Sequence, residues 1–281
     1  MREFKAPMVV AACLFSFRKK HREKRMNVIH VILTGLLLSG LDPGTERAMA
    51  EPGQTSQVVH VAQIKLSMSN VYLLKLPRPV LIDAGGKNDM PALEAALAKE
   101  GTAVKDLAAV LLTHGHSDHA ALAAVIRRRS GAAVMTGRAE RVMVGAGKND
   151  DLNPTNLMAR ILKTFAIDPN YEAFVPDLDV EGELDLANLG INGRAIQMPG
   201  HTPGSMVYLI DDGRAFVGDM ILGGWFGGAI FSTRPGEHYF HADVVRNRAN
   251  IKLLLERGVR EFYVGHGGPL AREAVTRWLA E

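Results

Sequence analysis

The chain has 281 residues, of which 47% are hydrophobic and 22% are charged, a composition typical of a globular protein with a substantial core. Residues 1–50 carry nine Lys/Arg and four Asp/Glu, which leaves 24 basic and 26 acidic residues in the remainder. The remainder is therefore near neutral, and the composition gives no indication of the basic face that nucleic-acid binding requires.

The N-terminal segment resembles a targeting sequence. A basic stretch at residues 18–25 precedes a mostly apolar run of 14 residues, Val28–Leu41, and small residues follow at Ala48-Met49-Ala50. The apolar run is shorter than the roughly 20 residues that span a bilayer. We therefore predict a cleaved signal peptide over residues 1–50, a domain over residues 51–281, and a periplasmic or secreted protein without stable membrane association. An uncleaved anchor and a later start codon are the alternatives.

After the leader, apolar runs and turn signals alternate along the chain. The predicted strands are Val71–Leu76, Val80–Ile82, Leu107–Leu112, Val134–Thr136, Ile191–Met198, Met206–Ile210, Ala215–Val217 and Phe262–Val264. The predicted helices are Met90–Lys99, a helix after His114 that runs through Arg129, Leu157–Phe165, Val244–Arg257 and Arg272–Leu279. Because strands and helices interleave, the pattern indicates a layered α/β domain. Residues 145–180 interrupt the alternation and could form either a lid or solvated packing.

The densest cluster of ligand-type side chains is His114-Gly115-His116-Ser117-Asp118-His119, directly after an apolar strand. Side chains alternate along a strand, so His114 and His116 can point the same way. Asp118 and His119 then fall at the start of the next helix. The only cysteine is Cys13, in the leader, so a metal in the mature domain must be held by nitrogen and oxygen.

Three more candidate ligands follow strand-like runs, and each comes directly after a glycine. They are His201, Asp219 and His266. A glycine at these places lets the loop turn the ligand back over the edge of the sheet. A single histidine after a strand is usually a hydrogen-bonded surface residue, but the joint occurrence of all these groups favours a metal centre.

The chain resembles the metallo-β-lactamase superfamily in four motifs that occur in the family's order. They are His-x-His-x-Asp-His at 114–119, Gly-His-Thr-Pro-Gly-Ser at 200–205, Val-Gly-Asp at 217–219 and Gly-His-Gly-Gly at 265–268. The resemblance implies a four-layer αβ/βα sandwich with two divalent metal ions at one edge, most often Zn²⁺, with Fe or Mn possible. It implies that one metal is bound by His114, His116 and His201, the other by Asp118, His119 and His266, with Asp219 as the bridge.

The resemblance also implies the chemistry. A hydroxide between the metals attacks a carbonyl or phosphoryl centre, and Asp118 orients it as the catalytic residue. Asp83 matches an early Asp motif of the family and is expected to orient a metal ligand. An ordinary turn at the end of a strand is the alternative interpretation of Asp83.

The identity of the bridging residue favours some reactions over others. Asp at the position of Asp219 resembles the hydroxyacylglutathione hydrolases and lactonases more than true metallo-β-lactamases. Since only fifteen residues follow His266, we do not expect the C-terminal helical region with which hydroxyacylglutathione hydrolases bind glutathione. The sequence thus predicts hydrolysis of a lactone, ester or thioester in a small-molecule substrate. Alternatives are a β-lactamase, an iron-dependent persulfide dioxygenase and a non-catalytic metal-binding module.

The glycine-rich stretch 223–241 is expected to form a wall over the metals. Its candidate pocket residues are Trp225, Phe226, Phe231, His238, Tyr239 and His241. Each aromatic residue could equally be part of the core. For His238 and His241, a surface position is the favoured expectation, and donation to an oxyanion is the alternative.

Overall fold

The structure is a computed structural model that describes residues 59–165 and 168–281. The predicted signal peptide and its cleavage site lie outside the described residues. Among the residues that are described, no helix combines the length and the apolar character needed to cross a bilayer.

The elements alternate along the chain as the sequence predicts. The strands are β1 His60–Lys65, β2 Asn70–Lys75, β3 Val80–Ile82, β4 Ala109–Leu111, β5 Ala133–Gly137, β6 Leu178–Val180, β7 Glu183–Asp185, β8 Gly193–Gln197, β9 Met206–Ile210, β10 Arg214–Gly218, β11 Leu222–Trp225, β12 Ile230–Gly236, β13 Glu261–Val264 and β14 Leu270–Ala271. The α-helices are α1 Met90–Lys99, α2 Ser117–Ala120, α3 Ala123–Ser130, α4 Arg141–Ala146, α5 Leu157–Phe165, α6 Val244–Glu256 and α7 Arg272–Ala280. Short 3₁₀ turns lie at Val104–Asp106, Arg138–Glu140 and Ala187–Leu189.

Two six-stranded sheets form the centre of the domain. One has the order β1-β2-β3-β4-β5-β6, and the other has the order β14-β13-β10-β9-β8-β7. In the first sheet, β3 to β6 are parallel; in the second, β10 and β13 are parallel. β11 and β12 form a separate antiparallel hairpin.

The alternation of side chains in the strands produces the four layers. In β2, Val71 and Leu73 pack with α1 and α3 in one apolar cluster, whereas Tyr72 and Leu74 pack in another with residues of β9 and β10. A third cluster joins the outer face of the second sheet to α6 and α7. Both sheets are therefore covered by helices on their outer faces and pack against each other on their inner faces. The predicted αβ/βα sandwich is confirmed.

The single helix predicted after His114 is wrong in one detail, because the structure has two helices, α2 and α3. The carbonyl of His119 accepts a hydrogen bond from Ala84 N at 2.7 Å. In a continuous helix this carbonyl would accept from the amide of Ala123. Because the His119 carbonyl bonds to Ala84 instead of Ala123, α2 ends at Ala120. Asp118 and His119 therefore lie beside the end of β3.

Candidate metal centre

Five of the seven candidate ligands lie on loops that follow strands, and the other two, Asp118 and His119, lie on α2. His114 and His116 follow β4, His201 follows β8, Asp219 follows β10 and His266 follows β13. All of these are carboxyl ends of strands. Parallel pairing of β10 with β13 places two of these ends side by side.

The first of two groups, here called the three-histidine group, consists of His114, His116 and His201. Each offers a ring nitrogen, and these nitrogens all lie within 4.8 Å of one another. His201 Nε2 is 3.1 Å from His116 Nδ1, and the ring of His114 stands almost perpendicular to both of the other rings. Nitrogens at this spacing on nearly perpendicular rings converge on one point, as zinc-binding imidazoles do.

The second group, here called the Asp118 group, consists of Asp118, His119, Asp219 and His266, whose ligand atoms also lie within 4.8 Å of one another. His119 Nε2 is 3.3 Å from Asp219 Oδ1, and His266 Nε2 is 3.2 Å from Asp219 Oδ2. Oδ2 is also 3.8 Å from His114 Nε2 and from His201 Nε2. The Asp219 carboxylate therefore lies between the two groups.

Several atoms that face the centre have no polar partner other than the candidate ligands around them. Within the described part of the chain, His114 Nε2, His119 Nε2 and Asp219 Oδ1 are buried and form no hydrogen bond. A buried polar atom without a partner is costly, and a cation among these nitrogen and oxygen atoms removes that cost. The donor set thus fits divalent metal ions that accept imidazole and carboxylate together.

The charges at the centre also suit cations. Burial lowers the pKa of His114 and of His201 well below the ordinary value, so both rings are neutral ligands at neutral pH. Burial raises the pKa of Asp219, but the surrounding histidines outweigh it and hold the pKa well below the ordinary value. Burial lowers the pKa of His266, yet Asp219 and Asp118 raise it to about 10. Metal binding to His266 must therefore displace a proton.

Asp83 fixes the orientation of one imidazole in the Asp118 group. Its Oδ2 accepts a hydrogen bond from His119 Nδ1 at 2.8 Å, and its Oδ1 accepts from Thr113 N at 2.7 Å. Its backbone has φ of 61°, a conformation that Asp and Asn tolerate better than other side chains. These contacts are those of a carboxylate that orients a metal-binding histidine.

Comparison with known proteins agrees with this geometry. The family model of the metallo-beta-lactamase superfamily matches residues 64–266. The chain belongs to the metallo-beta-lactamase superfamily.

It is 31% identical over 129 residues to hydroxyacylglutathione hydrolase GloC of Haemophilus influenzae, covering 45% of this chain and 55% of GloC. It is 27% identical over 174 residues to the probable metallo-hydrolase YflN of Bacillus subtilis, covering 57% of this chain and 63% of YflN. The chain thus spans little more than half the length of these curated relatives.

Solved structures show the same fold at low sequence identity. The B3 metallo-beta-lactamase BLEG-1 has a TM-score of 0.56 at 23% identity, covering 78% of this chain and 97% of BLEG-1. A metallo-beta-lactamase family protein of Thermus thermophilus has a TM-score of 0.55 at 21% identity, covering 79% of this chain and 78% of that protein. At this level of identity the likeness concerns the fold alone.

Two acidic residues beside the centre were missed by the sequence analysis. Buried Glu140 accepts hydrogen bonds from Gly115 N, Thr202 Oγ1 and Gly204 N, at 2.7, 2.7 and 2.8 Å. It therefore ties the loop of His114 and His116 to the loop of His201. Asp150 Oδ1 lies 3.0 Å from His116 Nε2, which leaves His116 Nδ1 facing His201. Neither acid belongs to a local motif, so only the folded contacts identify them.

A cavity of about 450 Å³ opens over the centre. Asp118, Asp219 and His266 line it, and so do Phe226, His238 and Tyr239, three of the predicted pocket residues. The interrupted segment 145–180 forms part of its wall through Asn149, Leu152, Met158, Leu162, Asp168 and Asn170. Movement of that segment as a lid stays a prediction.

Trp225, Phe231 and His241 do not line this cavity, which corrects their expected place in the pocket. Trp225 and Phe231 contact each other edge to face on the β11–β12 hairpin and are largely exposed. His241 is buried, with Nε2 3.0 Å from Glu237 Oε1. The surface position favoured for His238 and His241 is also wrong, because Phe240 pairs with Pro154 and draws this segment inward.

We expect Asp83→Asn to weaken metal binding about 10–100-fold, because the neutral amide polarises His119 less than the carboxylate does. Zn²⁺ affinity measured by competition with a chelator checks this. Asp89→Asn is the matched control, since Asp89 is a buried acid that accepts from Ser67 N and Gly86 N and does not contact a candidate ligand. Equal Zn²⁺ affinity in wild type and Asp83→Asn would contradict the orienting role.

We expect Glu140→Gln to lower the free energy of unfolding of the metal-free protein by about 1–3 kcal/mol. The amide has one acceptor oxygen, so its NH₂ group must face at least one of the three donors that Glu140 satisfies. Chemical denaturation checks the change. In the control Glu183→Gln, the lost partner is Arg257 at the surface, and we expect little change. A Glu140→Gln protein as stable as wild type would show that the loop connection is dispensable.

Proposed function

We propose that this superfamily member is a metal-dependent hydrolase that acts on the carbonyl of a lactone, ester or thioester. The observation that carries the proposal is that two ligand groups meet at Asp219 beneath an open cavity. Bound divalent cations supply Lewis-acid polarisation of the carbonyl and a nucleophile derived from water at neutral pH. A thioester substrate is also supported by the similarity to GloC, which is named hydroxyacylglutathione hydrolase.

Asp118 is the acid in the best position to orient an attacking water. Its Oδ2 lies 3.4 Å from His266 Nε2 and 3.6 Å from His119 Nε2, and its side chain lines the cavity. The charge of His119 and a hydrogen bond from His266 outweigh burial and hold the pKa of Asp118 well below its ordinary value. Asp118 is thus ionised at neutral pH, and its carboxylate can orient an attacking water by accepting a hydrogen bond from it.

The walls of the cavity favour a substrate with an apolar acyl group. The apolar side chains that line it are Leu152, Met158, Leu162, Phe240, Met68, Leu222 and Phe226. A substrate whose carbonyl lies beside Asp118 and Asp219 must place its remaining atoms against these side chains. Each methylene that is buried there contributes about 0.8 kcal/mol. We therefore include a medium-length acyl chain in the proposed substrate class.

We expect Asp118→Ala to lower kcat about 10²–10⁴-fold while the protein stays folded. The assay is a panel of lactones, esters, thioesters, a chromogenic β-lactam and phosphodiesters with zinc-reconstituted protein. Asp211→Ala is the control, because Asp211 is an exposed acid in the turn before β10, at the opposite end of that strand from Asp219. Wild-type turnover in Asp118→Ala would refute its role, and activity restricted to the β-lactam or the phosphodiesters would refute the substrate class.

We expect Met158→Asp to lower kcat/KM for an octanoyl ester about tenfold or more and to leave an acetyl ester unaffected. The Asp side chain removes an apolar contact with about two methylenes of the octanoyl chain, and losing that contact lowers kcat/KM by about this factor. Leu157→Asp is the matched control, since Leu157 precedes Met158 on α5 but is more exposed and does not line the cavity. Equal losses for both esters, or in both variants, would contradict an acyl-binding wall.

A further inference from the structure

His238 lies beside the metal centre although it belongs to none of the family motifs. It is buried on the segment between β12 and α6, and its Nε2 is 3.2 Å from Asp219 Oδ2. Its ring stacks on His266 with centroids 5.5 Å apart, and it contacts the ring of His201 edge to face at 4.9 Å. His238 therefore contacts one imidazole of each ligand group and the carboxylate between them.

The other nitrogen of His238 has the surroundings of a metal-binding histidine. Such a histidine donates its second ring N–H to a carbonyl or carboxylate, as His119 does to Asp83 and His266 does to Met68 O. The Phe240 carbonyl accepts from His201 Nδ1 at 2.9 Å and lies 3.2 Å from His238 Nδ1. One backbone carbonyl can thus fix both rings with their Nε2 atoms directed towards Asp219.

This tautomer leaves a lone pair on His238 Nε2 that faces the Asp219 carboxylate. Two acceptors at 3.2 Å repel each other unless a cation lies between them. The alternative tautomer accepts from Phe240 N at 3.3 Å and donates from Nε2 to Asp219, which makes His238 a hydrogen-bond donor rather than a ligand. The two tautomers predict different metal affinities, so metal binding distinguishes them.

We propose that His238 is an additional ligand of the metal ion that the three-histidine group binds, because it forms a third group of candidate ligands with His201 and Asp219. The ligand atoms of His201, Asp219 and His238 lie within 4.8 Å of one another, as do those of the three-histidine group and of the Asp118 group. The occupant is a divalent cation that accepts imidazole nitrogen and carboxylate oxygen, such as Zn²⁺ or Co²⁺. The inference rests on the metal centre of the proposed function, and it does not depend on which substrate is hydrolysed.

The experiment compares His238→Ala and His238→Gln with wild type as metal-free and as Co²⁺- or Zn²⁺-loaded protein. We expect metal affinity, measured by chelator competition, to fall about tenfold or more at one site, and the visible Co²⁺ absorption to change. His241→Ala is the matched control, because it removes a buried imidazole that also packs on His201 but offers no nitrogen to Asp219. Circular dichroism of the metal-free proteins checks the fold, and the Gln variant preserves side-chain volume if the Ala variant is unstable.

Wild-type metal content, affinity and Co²⁺ absorption in both His238 variants would overturn the proposal and assign the donating tautomer. A loss of the same size in His241→Ala would overturn it too, by showing that packing on His201 is responsible. Failure of the proposed function has a different signature. In that case wild-type protein binds metal, and His238 substitution weakens that binding, while none of the lactones, esters or thioesters is hydrolysed.

Discussion

The structure depends on one buried carboxylate, Asp219, which lies among imidazoles where the ends of both sheets meet. A buried anion is tolerated only with compensating charge or hydrogen bonds. Here the compensating groups are imidazoles, which compete for its two oxygens and leave Oδ1 without a hydrogen bond within the described chain. The crowding leaves no room for other side chains. A Cβ on Gly265 would lie 2.0 Å from Asp219 Oδ1. The glycine before His266 is thus required by the approach of its loop to this carboxylate.

The parts of the site that could be predicted from sequence are those in which the chemistry follows directly on a strand. Apolar periodicity predicts the bounds of α1 and β9 as they are observed. Ligand-type residues follow the carboxyl ends of β4, β8, β10 and β13, and these ends lie at the same edge. Asp83 follows the same logic, because it comes directly after β3. In each case a local pattern of a few residues contains both the element and the residue that the element positions.

The residues that could not be predicted act across long separations in sequence. Glu140 reaches Gly115 and Gly204, and Asp150 reaches His116, through contacts that no periodicity encodes. The burial of His238 is likewise not encoded locally, because histidine is intermediate in its tendency to be buried and the segment 236–243 has no regular periodicity. Its burial follows from the pairing of residues 153–155 with 239–241, where His241 N donates to Asn153 O and Thr155 N donates to Tyr239 O.

This pairing joins the candidate metal centre to the wall of the cavity. The segment with Asp150, which contacts His116, continues into Leu152 and α5, which form the apolar wall of the cavity. The segment with Phe240, whose carbonyl accepts from His201, supplies Tyr239 and Phe240 to the same wall. Both segments therefore contact a histidine of the three-histidine group with one residue and the cavity with another. A backbone shift of either segment would therefore move residues of the cavity together with the hydrogen-bond partner of His116 or His201. Because an outer hydrogen bond controls how basic a ligand is and how its ring is oriented, we expect such a backbone shift to change metal affinity as well as the shape of the cavity.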